Sequence, residues 1–141
     1  MNKSPFTFDQ ELALALFRFT LGINFFMHGA TRIFGDLSKF VSGTVKGFEK
    51  TILPAPLVEL YATGLAFTEL TLGALLILGL FTRFSLVVGA LVMSSLVFGM
   101  GLRQEWNTVG SQMIYAICFF LLLFFHAPNR FSLDGLKKQS E

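Results

Sequence analysis

A chain of 141 residues has room for one domain, and its 53% hydrophobic and 14% charged residues lie far outside the soluble range, where about 25% of residues are charged. The net charge is +2, and the basic residues lie mostly at the ends of apolar runs, which excludes a basic face for nucleic acid. The composition therefore predicts an integral membrane protein.

Four apolar segments reach or approach the ~20 residues with which an α-helix crosses about 30 Å of hydrocarbon. They cover residues 12–34, 57–81, 84–102 and 110–126. Short connections between the last three segments predict antiparallel neighbours. We expect an all-α fold, an integral membrane four-helix bundle forming one domain over residues 1–141. Such a multi-pass protein belongs in the cell (inner) membrane, and Arg130, Lys137 and Lys138 after the last span favour cytoplasmic termini.

The longest connection joins the first two spans and has an amphipathic pattern. Over residues 37–52 one face collects Leu37, Phe40, Val41, Val45, Phe48 and Ile52, and the opposite face collects Lys39, Lys46 and Lys50. This pattern predicts an interfacial amphipathic helix between helices 1 and 2, which covers one mouth of the bundle and turns its apolar face to lipid. An irregular loop, weakened as a helix by Gly43 and Gly47, is the alternative.

Charged residues inside the first span point to a polar interior. At 100° per residue one face of this helix collects Arg18, Gly22, Phe25, Gly29 and Arg32, with His28 at its edge. Each intramembrane charge costs roughly 2.5–3.5 kcal/mol on insertion scales, so such residues turn inward and pair or line a cavity. We therefore expect this face to pack inside the bundle, opposite acidic partners.

The second span supplies two carboxylates as candidate partners. When helix 2 is laid antiparallel to helix 1 with their ends level, Glu59 comes level with Arg32, and Glu69 falls between Arg18 and His28 in depth. Because a buried charge without a partner is costly, the sequence predicts two ion pairs, Arg18 with Glu69 and Arg32 with Glu59.

This polar cluster has two interpretations. Buried ion pairs that only fix the register of the helices are one; a proton path or a site for a polar ligand head is the other. In the functional interpretation Arg18, Glu69 and His28 are the catalytic residues, and the ligand-binding residues are Arg32, Glu59, Tyr61 and Phe25. Two isolated histidines and a single cysteine, Cys118, give no ligand spacing for a metal ion or haem, so no metal site is expected.

The order of these features along the chain resembles the DoxX family of small four-helix membrane proteins. The resemblance rests on Arg18, His28-Gly29 followed by Arg32, the stretch from Glu69 into LGALLILGLFTR, and the closing APNRFSLDG. It implies that the family's characteristic polar residues are Arg18, His28, Glu69, Arg83, Arg130 and Asp134, with Arg32 standing where a lysine is common. The chain departs from the family at Ala127-Pro128-Asn129, where glycine-proline-glycine is usual.

The resemblance also implies a redox setting, since some relatives look like membrane subunits of thiosulfate:quinone oxidoreductase. We expect a quinone-linked redox membrane component that binds a quinone head group in its polar interior, with no covalently bound cofactor. Its partners would be the lipid bilayer and a soluble or membrane redox subunit, with a second copy of the chain as a further alternative. A small transporter, a lipid-binding protein and a structural subunit are the competing functions.

Overall fold

The computed structural model describes residues 6–125 and 131–139. Six helices follow one another in this part of the chain: α1 (Phe8–Phe34), α2 (Leu37–Phe48), α3 (Ala55–Leu78), α4 (Thr82–Leu102), α5 (Trp106–Phe124) and α6 (Leu133–Gln139). Helices α1, α3, α4 and α5 are long and apolar enough to cross a membrane. The prediction of an all-α membrane bundle with a helix between its first two spans is confirmed.

Local sequence explains where the spans begin and end. Thr7 caps α1 through a capping box with Gln10. The predicted second span reaches residue 81, whereas α3 ends at Leu78 because Gly79 adopts a left-handed conformation, with φ of 64°. The predicted fourth span begins at residue 110, whereas α5 already begins at Trp106. His126, at the predicted end of that span, lies outside the described residues.

Helices α1 and α3 form the most extensive contact in the bundle. Glycines make this approach close, because a Cβ atom at Gly29 would overlap the backbone of Leu70 and one at Gly73 would overlap the backbone of Phe26. Small residues allow such approach between membrane helices, where van der Waals packing drives association. The chain thus contains one tightly packed helix pair, α1 with α3.

Helices α4 and α5 form the second pair. Gly89 of α4 leaves room for the ring of Phe119 of α5. The same ring packs edge-on against Phe25 of α1, with 5.1 Å between ring centroids, and Phe119 is fully buried. The core cluster around it joins the two pairs and consists of Leu21, Phe25, Leu76, Leu86, Met93, Phe119 and Leu122.

The register of α1 against α3 differs from the prediction. Gly29 lies level with Leu70, and Gly22 lies level with Ile77. If this register is continued, Ala55 at the start of α3 lies beyond Phe34 at the end of α1 by roughly 15 Å at 1.5 Å per residue. The two helix ends are therefore not level, and the first turns of α3 project past α1.

Helix α2 packs mainly against α3. Its Asp36 caps the first turn by accepting a hydrogen bond from the backbone N–H of Lys39. On the opposite face of the helix from its lysines, Phe48 is buried against Gly99 of α4. The ring of Phe40 lies under the guanidinium of Arg32, at 4.4 Å from the ring centroid. These two aromatic rings face the bundle, so the expectation that they face lipid is wrong for both.

At the other end of the bundle, Arg18 is held by backbone carbonyls. Its Nε donates to the carbonyl oxygen of Leu76 at 3.0 Å, and a terminal guanidinium nitrogen donates to that of Phe131 at 2.8 Å. Arg18 is 6% exposed. Because carbonyls near the C-terminus of α3 carry partial negative charge, they replace the carboxylate partner that the sequence prediction assigned. The Arg18–Glu69 pair is therefore wrong.

The segment after α5 completes this end of the bundle. Both carboxylate oxygens of Asp134 accept hydrogen bonds from the first turn of α4, from the N–H of Phe81 at 2.9 Å and of Thr82 at 2.7 Å. Phe81 itself has a positive φ of 48°, a costly conformation for a bulky residue. We call this end, with Arg18, Gly79 and Asp134, the closed end.

The start of α1 also lies at the closed end, because the rings of Phe8 and Phe131 are in edge-to-face contact with their centroids 5.5 Å apart. The chain thus enters its first span and leaves its last one at the same side of the bundle. Arg130 and the Ala127-Pro128-Asn129 segment lie outside the described residues.

Candidate functional site

A cavity of about 690 Å³ lies between the α1–α3 pair and the α4–α5 pair. It occupies the end opposite the closed end, under α2, and we call this the open end. Most of its wall surface is apolar, with residues such as Phe25, Leu65 and Met93, and polar side chains from all four spanning helices also line it. This volume and this lining are typical of sites for small organic ligands.

The central polar feature of the cavity is an ion pair between Arg32 of α1 and Glu69 of α3. Glu69 is 4% exposed, and a guanidinium nitrogen of Arg32 donates to one of its carboxylate oxygens. The packing of Phe40 on the Arg32 guanidinium adds a cation–π contact from α2. Three elements therefore fix this charged pair at the cavity wall.

The predicted partner of Arg32 was Glu59, and this pair is wrong. Glu59 is exposed and does not line the cavity. It lies on the part of α3 that projects past α1, beyond the reach of Arg32. Levelling the helix ends places both carboxylates about two turns too close to the start of α1, and this is why Glu69 was paired with Arg18.

The cavity brings together five of the seven predicted site residues. Its lining contains Phe25, His28, Arg32, Tyr61 and Glu69. His28 is exposed at the edge of the cavity, one helical turn before Arg32. Arg18 lies at the closed end and Glu59 outside, so neither belongs to this site.

Sequence reasoning missed other polar residues of the cavity. Asn24 donates its side-chain amide to the hydroxyl of Tyr115 at 3.3 Å, which links α1 to α5. Tyr61 and Ser95 share a hydrogen bond of 2.5 Å that links α3 to α4. Because Ser95 donates its own proton to the carbonyl of Val92 at 2.7 Å, Tyr61 is the donor to Ser95. Each of these two bonds joins the two helix pairs across the cavity.

A second arginine, Arg103, lines the cavity at the end of α4. Its guanidinium packs against Gly47 and lies 5.4 Å from the ring centroid of Phe48, so α2 contacts both cavity arginines through aromatic rings. Glu105 is 3.6 Å away and half exposed, which makes this a weak surface ion pair. Asn24 and Gln112 are polar residues within apolar spans, and they also line the cavity. Such residues were the signal in the sequence from which these neutral polar groups of the site could have been predicted.

The arrangement can bind the polar head of an apolar molecule and exchange protons with it. Arg32 offers hydrogen-bond donors, Glu69 is an acceptor that can take a proton, and His28 lies at the cavity edge one helical turn from Arg32. Within residues 6–125 and 131–139, no three His, Cys, Asp or Glu side chains lie close enough together to hold a metal ion.

These features define a multi-pass α-helical membrane protein with a cavity of ligand size between two helix pairs. The DoxX family model matches residues 13–102, which is more than half of the chain, and the protein belongs to the DoxX family. No curated protein and no solved structure matches the chain.

Proposed function

We propose that this protein is a quinone-linked redox component of the cell membrane, which binds a quinone head group in the cavity of the open end. The observation that carries the proposal is the ion pair between the partly buried Arg32 and the buried Glu69 in the wall of a large, mainly apolar cavity. Replacement of a buried ion pair by apolar residues is often neutral or stabilising. A structural role alone therefore gives little reason to place one beside a cavity.

The chemistry of a quinone suits these side chains. Its reduction adds two electrons and two protons, and the electrons would come from a redox partner subunit or from the substrate of that partner. Arg32 orients the head group by donating a hydrogen bond to a carbonyl oxygen, Glu69 transfers a proton at that oxygen, and His28 passes protons between Glu69 and the cavity edge. The apolar walls exclude water and hold the tail.

Quinone binding can be measured directly. Nanodiscs with and without the protein are titrated with a water-soluble benzoquinone that carries one isoprenoid unit and, separately, with its reduced quinol form. The bound fraction is corrected for partition into lipid. Glu69→Gln keeps an oxygen that can accept from Arg32 but removes the charge. We expect it to weaken binding of the quinol about tenfold or more, because the quinol hydroxyl donates to the Glu69 carboxylate and a hydrogen bond to a charged group contributes about 1.5–3 kcal/mol. The quinone, whose carbonyls only accept hydrogen bonds, should be affected less.

The matched control is Glu59→Gln, which changes an exposed carboxylate on the same helix and should leave binding unchanged. Equal affinity of both variants and the original protein would contradict the proposal. Failure of the quinone to bind, together with a phospholipid that co-purifies and is lost in Glu69→Gln, would favour the lipid-binding alternative instead.

A further inference from the structure

The cavity opens to the outside at two places, which are marked by residues that line the cavity and are also exposed. One set lies between α3 and α4 and consists of Leu57, Tyr61 and Phe98; the other lies between α1 and α5 and consists of His28, Thr108 and Ser111. The two openings face away from each other across the bundle, and their chemistry differs.

The opening between α3 and α4 is apolar. The Tyr61–Ser95 hydrogen bond fixes which turns of these antiparallel helices face each other. Leu57 lies one turn before Tyr61, and Phe98 lies one turn after Ser95, so the two residues flank the same gap. Their exposed fractions are 51% and 60%, and that of Tyr61 is 41%. Hydrocarbon groups therefore form the rim, and the one hydroxyl of Tyr61 is engaged by Ser95.

The opening between α1 and α5 is polar. Here the Asn24–Tyr115 hydrogen bond fixes the register. His28 lies one turn after Asn24, and Ser111 lies one turn before Tyr115, so their side chains approach from the two antiparallel helices. Thr108 continues this edge towards the start of α5. An imidazole and two hydroxyls thus form the rim.

We propose that the tail of the quinone leaves the cavity between α3 and α4, and that the opening between α1 and α5 serves proton exchange. This inference rests on the proposed function and assigns each opening a part in it. A long isoprenoid tail passes to lipid at no desolvation cost only where the rim is apolar, because polar groups held against hydrocarbon lose their partners. Protons move along hydroxyl and imidazole groups, and the other rim has the imidazole of His28 and the hydroxyls of Thr108 and Ser111. The hydroxyl of Tyr61 at the apolar rim is already bonded to Ser95.

Photolabelling tests this path. The protein in nanodiscs is irradiated with a benzoquinone whose decyl tail ends in a diazirine, and labelled peptides are located by mass spectrometry. We expect labels on the segments that contain Leu57 and Phe98, and we expect an excess of a quinone without diazirine to suppress them. Labels on the segment with Thr108 and Ser111 that the excess quinone suppresses would contradict the proposed path of the tail, but they would still support a quinone site in the cavity. Labels that no quinone suppresses would overturn the proposed function, and the path with it.

Alkylation gives a second measurement that does not depend on photochemistry. In a Cys118→Ala background, Phe98→Cys places a thiol at the rim, and Leu91→Cys places one on the same helix at an exposed position outside the cavity. With a decyl quinone at about ten times its Kd, mass action predicts roughly tenfold slower maleimide labelling of Phe98→Cys and no change for Leu91→Cys. Equal rates with and without quinone at both positions would contradict the path.

Discussion

The closed end and the open end each contain an arginine of α1, and the two arginines have different surroundings. Arg18 donates to the carbonyls of Leu76 and Phe131, so its charge is spread over main-chain groups. Arg32 donates to the carboxylate of Glu69 at the wall of a cavity. Arg18 therefore connects α1 to the end of α3 and to Phe131. Arg32 and Glu69 instead line the cavity, where a ligand can contact them. The hydrogen-bond partners of an arginine in a membrane helix can thus be main-chain carbonyls, here with the Asp134 carboxylate close enough to favour its charge.

The largest effect should come from breaking the pair at the open end. Arg32→Leu leaves the buried carboxylate of Glu69 without its partner, which costs about 3–5 kcal/mol. Glu69→Leu should cost less because Arg32 is partly exposed, and the double variant should recover much of the loss. The free energy of unfolding can be measured by titrating detergent-solubilised protein with a denaturing detergent.

The two single variants and the double variant form a double-mutant cycle, and the same cycle with Arg18→Leu and Glu69→Leu is the control. These residues do not touch, so their effects should add within about 0.5 kcal/mol. Strong coupling between Arg18 and Glu69, or additive effects for Arg32 and Glu69, would contradict the distinction between the two ends.

The next effect concerns the closed end. Arg18→Leu removes two hydrogen bonds from a charged donor, each of which contributes about 1.5–3 kcal/mol, so we expect a loss of roughly 3 kcal/mol. Because one bond holds Phe131, proteolysis within residues 131–139 should become faster, while quinone binding at the open end should persist. Arg83→Leu, at an exposed position, is the matched control. Loss of quinone binding in a folded Arg18→Leu protein would show that the ends are not independent.

The smallest effect tests the α1–α3 contact that connects the ends. A Cβ atom at Gly73 would overlap the backbone of Phe26, and overpacking of this kind costs about 1–3 kcal/mol. Gly64→Ala is the control on the same helix, since nothing lies within 4 Å of a Cβ atom there. It should be neutral or stabilising by up to about 1 kcal/mol. Thermal unfolding of both variants measures the difference, and equal melting temperatures would exclude a tight contact at Gly73.

The sequence predicts the helices well and the ion pairs poorly, for a physical reason. Length and hydropathy suffice for the four spans, and the spacing of apolar residues suffices for α2. Depth in the membrane cannot be assigned by placing helix ends at the same level, because the register of the two helices makes α3 project beyond α1. Gly22, Gly29 and Gly73 carried the better signal for register, since they are where the two backbones meet.

The candidate site was predicted in part because charge is conspicuous in an apolar span. Arg32, Glu69 and His28 could be found that way, whereas the wall formed by α4 and α5 carries only neutral polar groups and Arg103 near the cavity mouth. Ser95 is not among the predicted site residues, yet it accepts a hydrogen bond from Tyr61. Hydroxyl groups often bond to their own helix backbone, so sequence alone does not separate those that reach another helix.

The contacts of the segment after α5 also impose an order on biosynthesis. The cap that Asp134 places on Thr82 spans 52 residues, and the bond from Arg18 to Phe131 spans 113. Helices α1 and α3 can pair as soon as α3 has entered the membrane, but the first turn of α4 lacks its cap until translation has passed residue 134. Nascent chains stalled before that point should therefore form the α1–α3 pair but lack the hydrogen bonds of Asp134 at the start of α4.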